Sequence, residues 1–243
     1  MPDAPSAPLR LLVIEDEAPI RRFLRIVLEG AGHVMDEAAR GREGIERAAT
    51  GAPSAVVLDL GLPDMDGKAV IAAIREWSDV PIVVVSVRSN EAEIIAALDA
   101  GADDYVTKPF APAELLARLR SIIRRTRDLS DVAGDAVNAS FRFNGWLLRV
   151  GARDLSDPDG KPVTLTTSEF DLLHAMVLHP QRVLSREFLI DRTRGGAAET
   201  IDRVIDVQVG RLRRKLGDDP REPALIRTVR GDGYLFSPPV VRC

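Results

Sequence analysis

The chain has 243 residues, 45% of them hydrophobic and 29% charged, with a formal net charge of −4. This composition is typical of a globular protein with room for two domains. Cys243 is the only cysteine, which excludes an intramolecular disulfide and fits a reducing compartment. Residues 1–8 lack the regions of a signal peptide, and no apolar stretch is long enough to cross a bilayer, so we predict a cytoplasmic protein without membrane contact.

The two halves of the chain carry opposite net charges. Residues 1–137 contain 16 basic and 23 acidic side chains, a balance of −7. Residues 138–243 contain 17 basic and 14 acidic side chains, a balance of +3. An acidic half joined to a basic half suggests a regulatory part and a part that binds a polyanion. Ordinary variation of surface charge would produce the same difference, so charge alone does not decide between the two explanations.

Residues 9–127 alternate short apolar runs with longer amphipathic segments. The apolar runs are predicted strands at 10–14, 34–37, 55–58, 81–85 and 104–106. The amphipathic segments are predicted helices at 18–30, 41–50, 67–77, 90–100 and 112–126. Five such repeats predict an α/β domain, in which a parallel sheet carries helices on both faces.

Residues 128–140 lose this periodicity and are small and polar, so we interpret them as a linker. The pattern then changes again over residues 141–240, the second predicted domain. It begins with strands at 141–143, 146–150 and 163–165. Three helices follow, the first opening at a capping box, Thr166–Glu169, the second at Ser185 and the third near Thr200. With a closing hairpin of strands 226–229 and 234–236, these elements describe an α+β winged helix-turn-helix.

Polar side chains stand where the predicted strands of the first domain end: Glu15, Asp16, Asp59, Ser86 and Lys108. The carboxyl ends of parallel strands share one edge of a sheet, so these groups should converge. Oxygen ligands suited to Mg²⁺ are offered by Glu15, Asp16, Asp59 and the backbone carbonyl of Gly61. Asp59 is then a plausible nucleophile towards phosphorus, with Lys108 and Ser86 as donors to the phosphoryl oxygens. Each residue alone has an ordinary structural explanation, but their joint placement favours a site.

The third helix of the second domain is basic and amphipathic. Its apolar positions Ile201, Ile205, Val209 and Leu212 recur at helical spacing and should face the core. We predict that the other face reads the DNA major groove through Arg203, Val207, Gln208 and Arg211. Arginines better placed for phosphate contacts are Arg186, Arg194, Arg213 and Arg214. Arg230, between the two strands of the closing hairpin, is predicted to enter a minor groove.

Three segments of the first domain, Val13–Glu17, Leu58–Gly67 and Gly101–Phe110, resemble the receiver domain of two-component response regulators. Residues 141–238, with the segment Thr228–Tyr234, resemble the winged-helix effector of the OmpR/PhoB family. The resemblance therefore covers nearly the whole chain. It implies a flavodoxin-like (βα)5 receiver fold for the first domain.

The resemblance also implies a mechanism and partners. Asp59 would be the phosphoacceptor, with Glu15 and Asp16 binding Mg²⁺ and Lys108 contacting the phosphoryl group. Ser86 and Tyr105 would form a switch pair that responds to the new phosphate. The implied partners are a sensor histidine kinase, double-stranded promoter DNA with direct repeats, and RNA polymerase. The chain would be a phosphoryl acceptor and not a conventional enzyme.

Family members dimerise through the face made by helix 90–100, strand 104–106 and helix 112–126. The resemblance places the following residues on this face: Ile94, Asp99, Asp103, Asp104, Glu114, Arg118 and Arg125. Ile94 stands where relatives usually carry a basic residue that meets the acid at Glu114. We therefore expect one interface charge pair to be missing or replaced by an apolar contact.

Some receiver segments resemble the potassium-responsive KdpE subgroup, among them residues 21–25 and 77–81, which implies potassium-transport genes as targets. Residues 202–208 and 228–234 look more like regulators of other operons. Two alternative functions compete with a phosphorylation-switched regulator. One is a Mg²⁺-dependent phosphatase of the haloacid-dehalogenase type, which Gly61 argues against because that class needs a second aspartate there. The other is a phosphorylation-independent DNA-binding protein with a degenerate receiver, which the retained acidic site argues against.

Overall fold

The computed structural model describes residues 8–131, 139–194 and 203–243 of the chain. The chain divides between Leu119 and Arg120 into two compact units. The first contains the predicted α/β fold, and the second contains the predicted winged-helix elements. Both predictions of fold class are confirmed.

The first unit is built around a five-stranded parallel sheet with the strand order β2-β1-β3-β4-β5. The strands are β1 (Arg10–Ile14), β2 (Val34–Ala38), β3 (Ala55–Leu58), β4 (Ile82–Ser86) and β5 (Asp104–Thr107). Its helices are α1 (Ala18–Gly30), α2 (Gly41–Gly51), α3 (Gly67–Arg75), α4 (Glu91–Ala100) and the first part of α5 (Pro112–Asp131). This strand order reverses direction next to β1, and α/β folds of this kind place their sites at that reversal, beyond the carboxyl ends of the strands.

Every residue of strands β3 and β4 is buried, because helices cover both faces of the sheet. This double burial explains why the central strands are continuous apolar runs. Gly67 lets the segment after β3 pack closely: a Cβ at this position would lie 2.6 Å from the carbonyl oxygen of Asp59. The helix that follows is capped by Asp66, whose carboxylate accepts a hydrogen bond from the N–H of Lys68. Both features fix the backbone that carries Asp59.

Asp103 is part of the interior of the first unit and not of its surface. Its carboxylate accepts hydrogen bonds from Arg75, at 2.8 Å, and from the N–H of Ile82, at 2.9 Å. Its side chain is fully buried. In the single chain this carboxylate ties the end of α3 to the start of β4, so Asp103 has a structural role apart from the predicted dimer interface.

The second unit contains an antiparallel sheet with the order β13-β6-β7-β8-β9. Its strands are β6 (Ser140–Phe143), β7 (Trp146–Arg149), β8 (Asp154–Ser156), β9 (Pro162–Val163) and β13 (Val241–Arg242). Sequence patterning missed β8 and β13, which are too short to show an alternation. Helix α5 continues to Asp131, four residues into the segment predicted to be a linker.

The helices of the second unit are α6 (Thr167–Leu178), α7 (Arg186–Arg194) and α8 (Arg203–Leu216). A small sheet of β10 (Val183–Leu184), β12 (Gly233–Phe236) and β11 (Ile226–Val229) completes it. The predicted capping box is present: the Thr166 hydroxyl accepts from the N–H of Glu169, and the Glu169 carboxylate accepts from the N–H of Thr166. Within the described residues, no helix combines the length and the hydrophobicity that crossing a lipid bilayer demands.

We expect the stability of the second unit to fall as the pH drops from about 6.5 to about 4, because of His174. Its ring lies 6.1 Å from that of Phe141 and 6.0 Å from that of Phe170, and burial lowers its pKa from 6.5 to about 4. The unfolded chain takes up this proton first, so His174 costs up to about 3 kcal/mol of unfolding free energy once the pH is below both values. Urea unfolding of His174→Leu should lose this component of the pH dependence. An unchanged pH dependence would contradict the assignment.

Candidate metal centre and nucleic-acid interface

Three carboxylates meet where β1 and β3 end. One oxygen from each of Glu15, Asp16 and Asp59 lies within 4.8 Å of the others. Glu15 and Asp59 are buried, whereas Asp16 is exposed. The N–H of Gly61 donates to Asp59 at 3.1 Å and helps to orient that carboxylate. This donor set, hard carboxylate oxygens open to solvent on one side, fits the chemistry of Mg²⁺.

Lys108, which follows β5, bridges the two buried carboxylates. Its Nζ lies 2.5 Å from Asp59 Oδ2 and 2.7 Å from Glu15 Oε2. Burial is the largest influence on the pKa of Asp59 and raises it, but the bonds from Lys108 and Gly61, together with the nearby hydroxyl of Ser86, lower the pKa below its usual value. For Lys108, burial lowers the pKa, and the bonds to both carboxylates outweigh it, so the pKa is raised. Asp59 is therefore held as a carboxylate beside a charged ammonium group.

Glu15 behaves differently from Asp59, although it shares the same lysine. Burial raises the pKa of Glu15, and the bond from Lys108 only partly opposes that change. Glu15 is 1% exposed. Between the two buried acids, Asp59 is thus the one better stabilised in its anionic, nucleophilic form.

Ser86 ends β4, and Tyr105 is the second residue of the neighbouring strand β5. Ser86 is fully buried, and its hydroxyl makes no hydrogen bond within ordinary geometry, yet it is near enough to contribute to lowering the pKa of Asp59. The Tyr105 ring is 6% exposed, and its hydroxyl donates to the carbonyl oxygen of Arg88 at 2.5 Å. Burial is the main reason that the pKa of Tyr105 is raised. A buried hydroxyl without a hydrogen-bond partner is uncommon in proteins. We therefore expect Ser86 to gain a partner in another state of the protein.

Arg21 is a residue that sequence reasoning missed. Its guanidinium donates to the carbonyl oxygens of Glu15, at 2.8 Å, and Asp16, at 2.6 Å. It therefore fixes the backbone of both acidic residues from the first turn of α1. The only signal in the sequence was a basic residue one helical turn beyond an acidic run, which is common on any exposed helix.

Of the other described residues predicted for the dimer face, three charged ones pair within the chain, one is buried and one is exposed. The buried guanidinium of Arg118 lies 3.1 Å from Asp104 and 2.8 Å from Glu114. Asp104 also accepts from the N–H of Tyr105 at 2.7 Å. Ile94 is 6% exposed and Asp99 is exposed. The charges of Asp104 and Arg118 are thus matched to each other in this structure.

Helix α8 buries more of its surface than predicted. Gln208 is 1% exposed because it falls on the same stripe as the core residues Ile205, Val209 and Leu212. Arg211 is 7% exposed, and Arg213 is 9% exposed. The prediction that Gln208 and Arg211 share an outward face is wrong.

Each of these arginines instead holds two elements of the second unit together. Arg211 lies 2.8 Å from the carboxylate of Glu169 at the start of α6. Arg213 donates to the carbonyl oxygen of Ile226 and to the hydroxyl of Thr228, both on β11. We therefore withdraw Arg213 as a phosphate contact and Arg211 as a base contact.

Four of the residues predicted to contact DNA are accessible. Arg214 and Arg230 are exposed, Val207 is half-buried, and Arg186 has a side-chain exposure of 26%. The side chains of Arg125, Arg194 and Arg203, and residues Thr200 and Ile201, lie outside the described part of the chain. Among the described residues of α8, one face carries Asp206, Val207, Gly210 and Arg214, which are exposed or half-buried.

Glu169 was predicted only as a helix cap, but it is also a charge centre. Its side chain is fully buried and receives Arg211, at 2.8 Å, and Lys215, at 2.5 Å, in addition to the N–H of Thr166. Burial raises the pKa of Glu169, but the charges of Arg211 and Lys215 outweigh that effect, so the pKa is lowered. This carboxylate ties α6 to α8.

Two family models match the chain. "Response regulator receiver domain" covers residues 11–120, and "Transcriptional regulatory protein, C terminal" covers residues 160–236. The Response regulator MprA of Mycolicibacterium vanbaalenii is 40% identical over 230 residues, which span 94% of this chain and 97% of that protein.

Two further matches extend over nearly the whole chain. The KDP operon transcriptional regulatory protein KdpE of Escherichia coli is 41% identical over 226 residues, or 93% of this chain and 98% of that protein. A solved structure of a RitR mutant superimposes with a TM-score of 0.75 at 23% identity and covers 94% of this chain and 99% of that chain, a likeness of fold alone. The similarity to MprA and to KdpE is nearly equal.

Proposed function

Because the chain belongs to the OmpR/PhoB-type response regulators of two-component systems, we propose that phosphorylation of Asp59 switches its binding to promoter DNA. The chain is a DNA-binding transcription regulator and not an enzyme, which excludes the alternative function of a Mg²⁺-dependent phosphatase. The observation that carries the proposal is the buried, unpartnered hydroxyl of Ser86 beside Asp59. This hydroxyl is a donor that an arriving phosphoryl oxygen would satisfy.

Glu15, Asp16 and Asp59 would hold Mg²⁺, with the carbonyl of Gly61 as a further ligand. When bound, the cation would neutralise the clustered carboxylates and the phosphoryl oxygens. Arg21 keeps the backbone of Glu15 and Asp16 in place for this purpose.

The proposed transfer starts from the anionic carboxylate of Asp59. One of its oxygens attacks the phosphorus of a phosphohistidine on a sensor kinase; the new P–O bond forms as the P–N bond breaks, and the imidazole leaves with the electron pair. Lys108 exchanges its contact with Asp59 for one with a phosphoryl oxygen, and Ser86 donates to another. Movement of Ser86 then alters the surroundings of Tyr105, whose hydroxyl binds the Arg88 carbonyl in this structure.

Phosphorylation by a small-molecule donor tests this assignment directly. We expect wild-type protein incubated with phosphoramidate and Mg²⁺ to gain one phosphoryl group by intact mass, and EDTA to prevent the gain. Asp59→Asn should gain none, because an amide is not a nucleophile towards phosphorus. Asp79→Asn, which changes an exposed carboxylate in the same unit, is the matched control and should react like wild type. Phosphorylation of Asp59→Asn at the wild-type rate would contradict the proposal.

The DNA-binding surface that we propose comprises Arg186, Val207, Arg214 and Arg230. Arg186 and Arg214 would contact phosphates, and Val207, on α8, would face the bases. Arg230, which lies between β11 and β12, would reach into a minor groove. Phosphorylation would promote dimerisation of the protein in the cytoplasm. The dimer would bind direct repeats in promoter DNA and would contact RNA polymerase. The Asp104–Arg118 pair, now closed within one chain, could then be exchanged between two chains.

Capture of genomic fragments by the full chain separates a switched regulator from one with a degenerate receiver. Enrichment of paired direct repeats by activated wild type, but not by Asp59→Asn treated identically, supports the switch. Equal enrichment by both would favour phosphorylation-independent binding. The neighbouring genes would decide the potassium-transport hypothesis, which near-equal similarity to KdpE and MprA leaves open.

A further inference from the structure

Three elements of the second unit meet at one carboxylate, that of Asp206 on α8. Its Oδ1 accepts a hydrogen bond from the Nε of Arg186, the first residue of α7, at 2.9 Å. The same oxygen accepts from the hydroxyl of Tyr234 on β12 at 2.5 Å. The guanidinium carbon of Arg186 also lies 5.2 Å from the centre of the Tyr234 ring.

The position of this carboxylate is unfavourable for a DNA-binding helix. Asp206 has a side-chain exposure of 42% and lies on the same face of α8 as Val207, Gly210 and Arg214. A negative charge on a surface that approaches phosphates weakens binding by simple repulsion. A neutral residue at this position would avoid that cost, so the carboxylate needs a compensating role.

The contacts of Arg186 indicate what that role is. An arginine side chain at a surface has several rotatable bonds, and it loses their freedom on binding unless it is already held. The bond to Asp206 uses one of the five N–H groups of the guanidinium, and the Tyr234 ring packs against it. Tyr234 is 4% exposed, and its hydroxyl fixes the carboxylate from the interior side. The raised pKa of Tyr234, due first to burial and then to its bond with Asp206, keeps this hydroxyl a donor.

We propose that Asp206 and Tyr234 are positioning residues, which hold Arg186 in a fixed orientation so that its remaining N–H groups can bind a phosphate of the DNA backbone. This inference rests on the proposed phosphate contact of Arg186. The ligand class is the sugar-phosphate backbone of duplex DNA, independent of base sequence.

The direction in which one substitution changes the affinity for DNA tests the inference. The probe is a fluorescein-labelled duplex of mixed sequence, about two helical turns long, titrated with the full-length protein by fluorescence anisotropy at several salt concentrations. We expect Asp206→Asn to weaken binding by about tenfold, the order of one charge-assisted hydrogen bond. Loss of repulsion alone would make binding tighter. Asp232→Asn, which removes an exposed acid between β11 and β12 without contacts of its carboxylate to described residues, is the matched control and should bind as well as or better than wild type.

A second variant and a double-mutant cycle separate positioning from general destabilisation. Tyr234→Phe keeps the ring and removes only the hydroxyl, and it should weaken binding in the same direction. Arg186→Ala should reduce the magnitude of the salt slope by about one. In the Arg186→Ala background, Asp206→Asn and Tyr234→Phe should have no further weakening effect, whereas a merely structural role would give additive losses.

The outcomes of these titrations are distinguishable. If Arg186→Ala binds like wild type at every salt concentration, the phosphate contact itself is wrong and the inference falls with it. If Arg186→Ala weakens binding but Asp206→Asn tightens it or leaves it unchanged, the phosphate contact stands and the positioning role is overturned. Additive losses in the cycle also overturn that role. All variants are compared with wild type in the same unphosphorylated state, so the proposal for Asp59 is tested separately.

Discussion

Replacing Lys108 with alanine is expected to slow phosphorylation of Asp59 by roughly 100- to 1,000-fold, the cost of removing one donor to developing charge. In the resting structure its Nζ contacts both Asp59 and Glu15. The same ammonium group is the positive charge that we expect to meet the phosphoryl oxygens during transfer. The rate is measured with phosphoramidate and saturating Mg²⁺, by intact mass over time.

The same substitution should strengthen the binding of Mg²⁺, measured by calorimetry in the absence of a phosphodonor. Lys108 and a divalent cation compete for the oxygens of Asp59 and Glu15, so removing the lysine leaves two buried carboxylates uncompensated. Lys68→Ala is the matched control, since Lys68 contacts Glu93 at 2.9 Å in the same unit and away from these carboxylates. Slower phosphorylation together with weaker Mg²⁺ binding would indicate a damaged site and contradict separate roles for the lysine and the metal.

Replacing Glu169 with glutamine is expected to lower the unfolding free energy of the second unit by about 3 kcal/mol or more. The amide has the same shape, but it cannot compensate the charges of Arg211 and Lys215, one of which is buried. Urea unfolding can be followed through Trp146, which is 8% exposed, in a Trp77→Phe background that removes the other tryptophan.

Lowering the pH should protonate Glu169 and thereby remove the negative charge that the Glu169→Gln substitution also removes. The pKa of Glu169 is lowered in the folded state below its usual value of 4.5. A carboxyl group with a lowered pKa contributes its full stability above the unfolded value, and that contribution is lost as the pH falls from there through the folded value. The stability difference between wild type and Glu169→Gln should therefore shrink below about pH 4.5. Glu187→Gln, an exposed acid on α7, should show no comparable loss, and an equal loss there would contradict the assignment.

The acidic site was predictable because its geometry follows from the topology. Glu15, Asp59, Ser86 and Lys108 each follow or end an apolar run, and parallel strands place their carboxyl ends on one edge. The spacing in the sequence was therefore enough to predict that they converge. Arg21 was missed because its donors reach backbone carbonyls, which leave no pattern in the side chains.

The nucleic-acid surface was less predictable because burial of an arginine depends on a distant partner. Arg211 is buried by its ion pair with Glu169, 42 positions earlier, and Arg213 by the carbonyl oxygen of Ile226. Helical periodicity separates apolar from polar positions, but it does not distinguish a charged side chain in solvent from one paired in the interior. Asp103 was assigned to a surface by the family resemblance alone, although Arg75 holds its carboxylate inside.

The strand β13 brings the last described residues of the chain beside the first strand of the second unit. Ser140 and Cys243 exchange two backbone hydrogen bonds, at 3.2 and 2.8 Å. The polypeptide therefore enters and leaves this sheet at one point, as in domains that tolerate circular permutation and insertion. Such a module can be joined to a different receiver domain, by recombination or by design, with its core left intact.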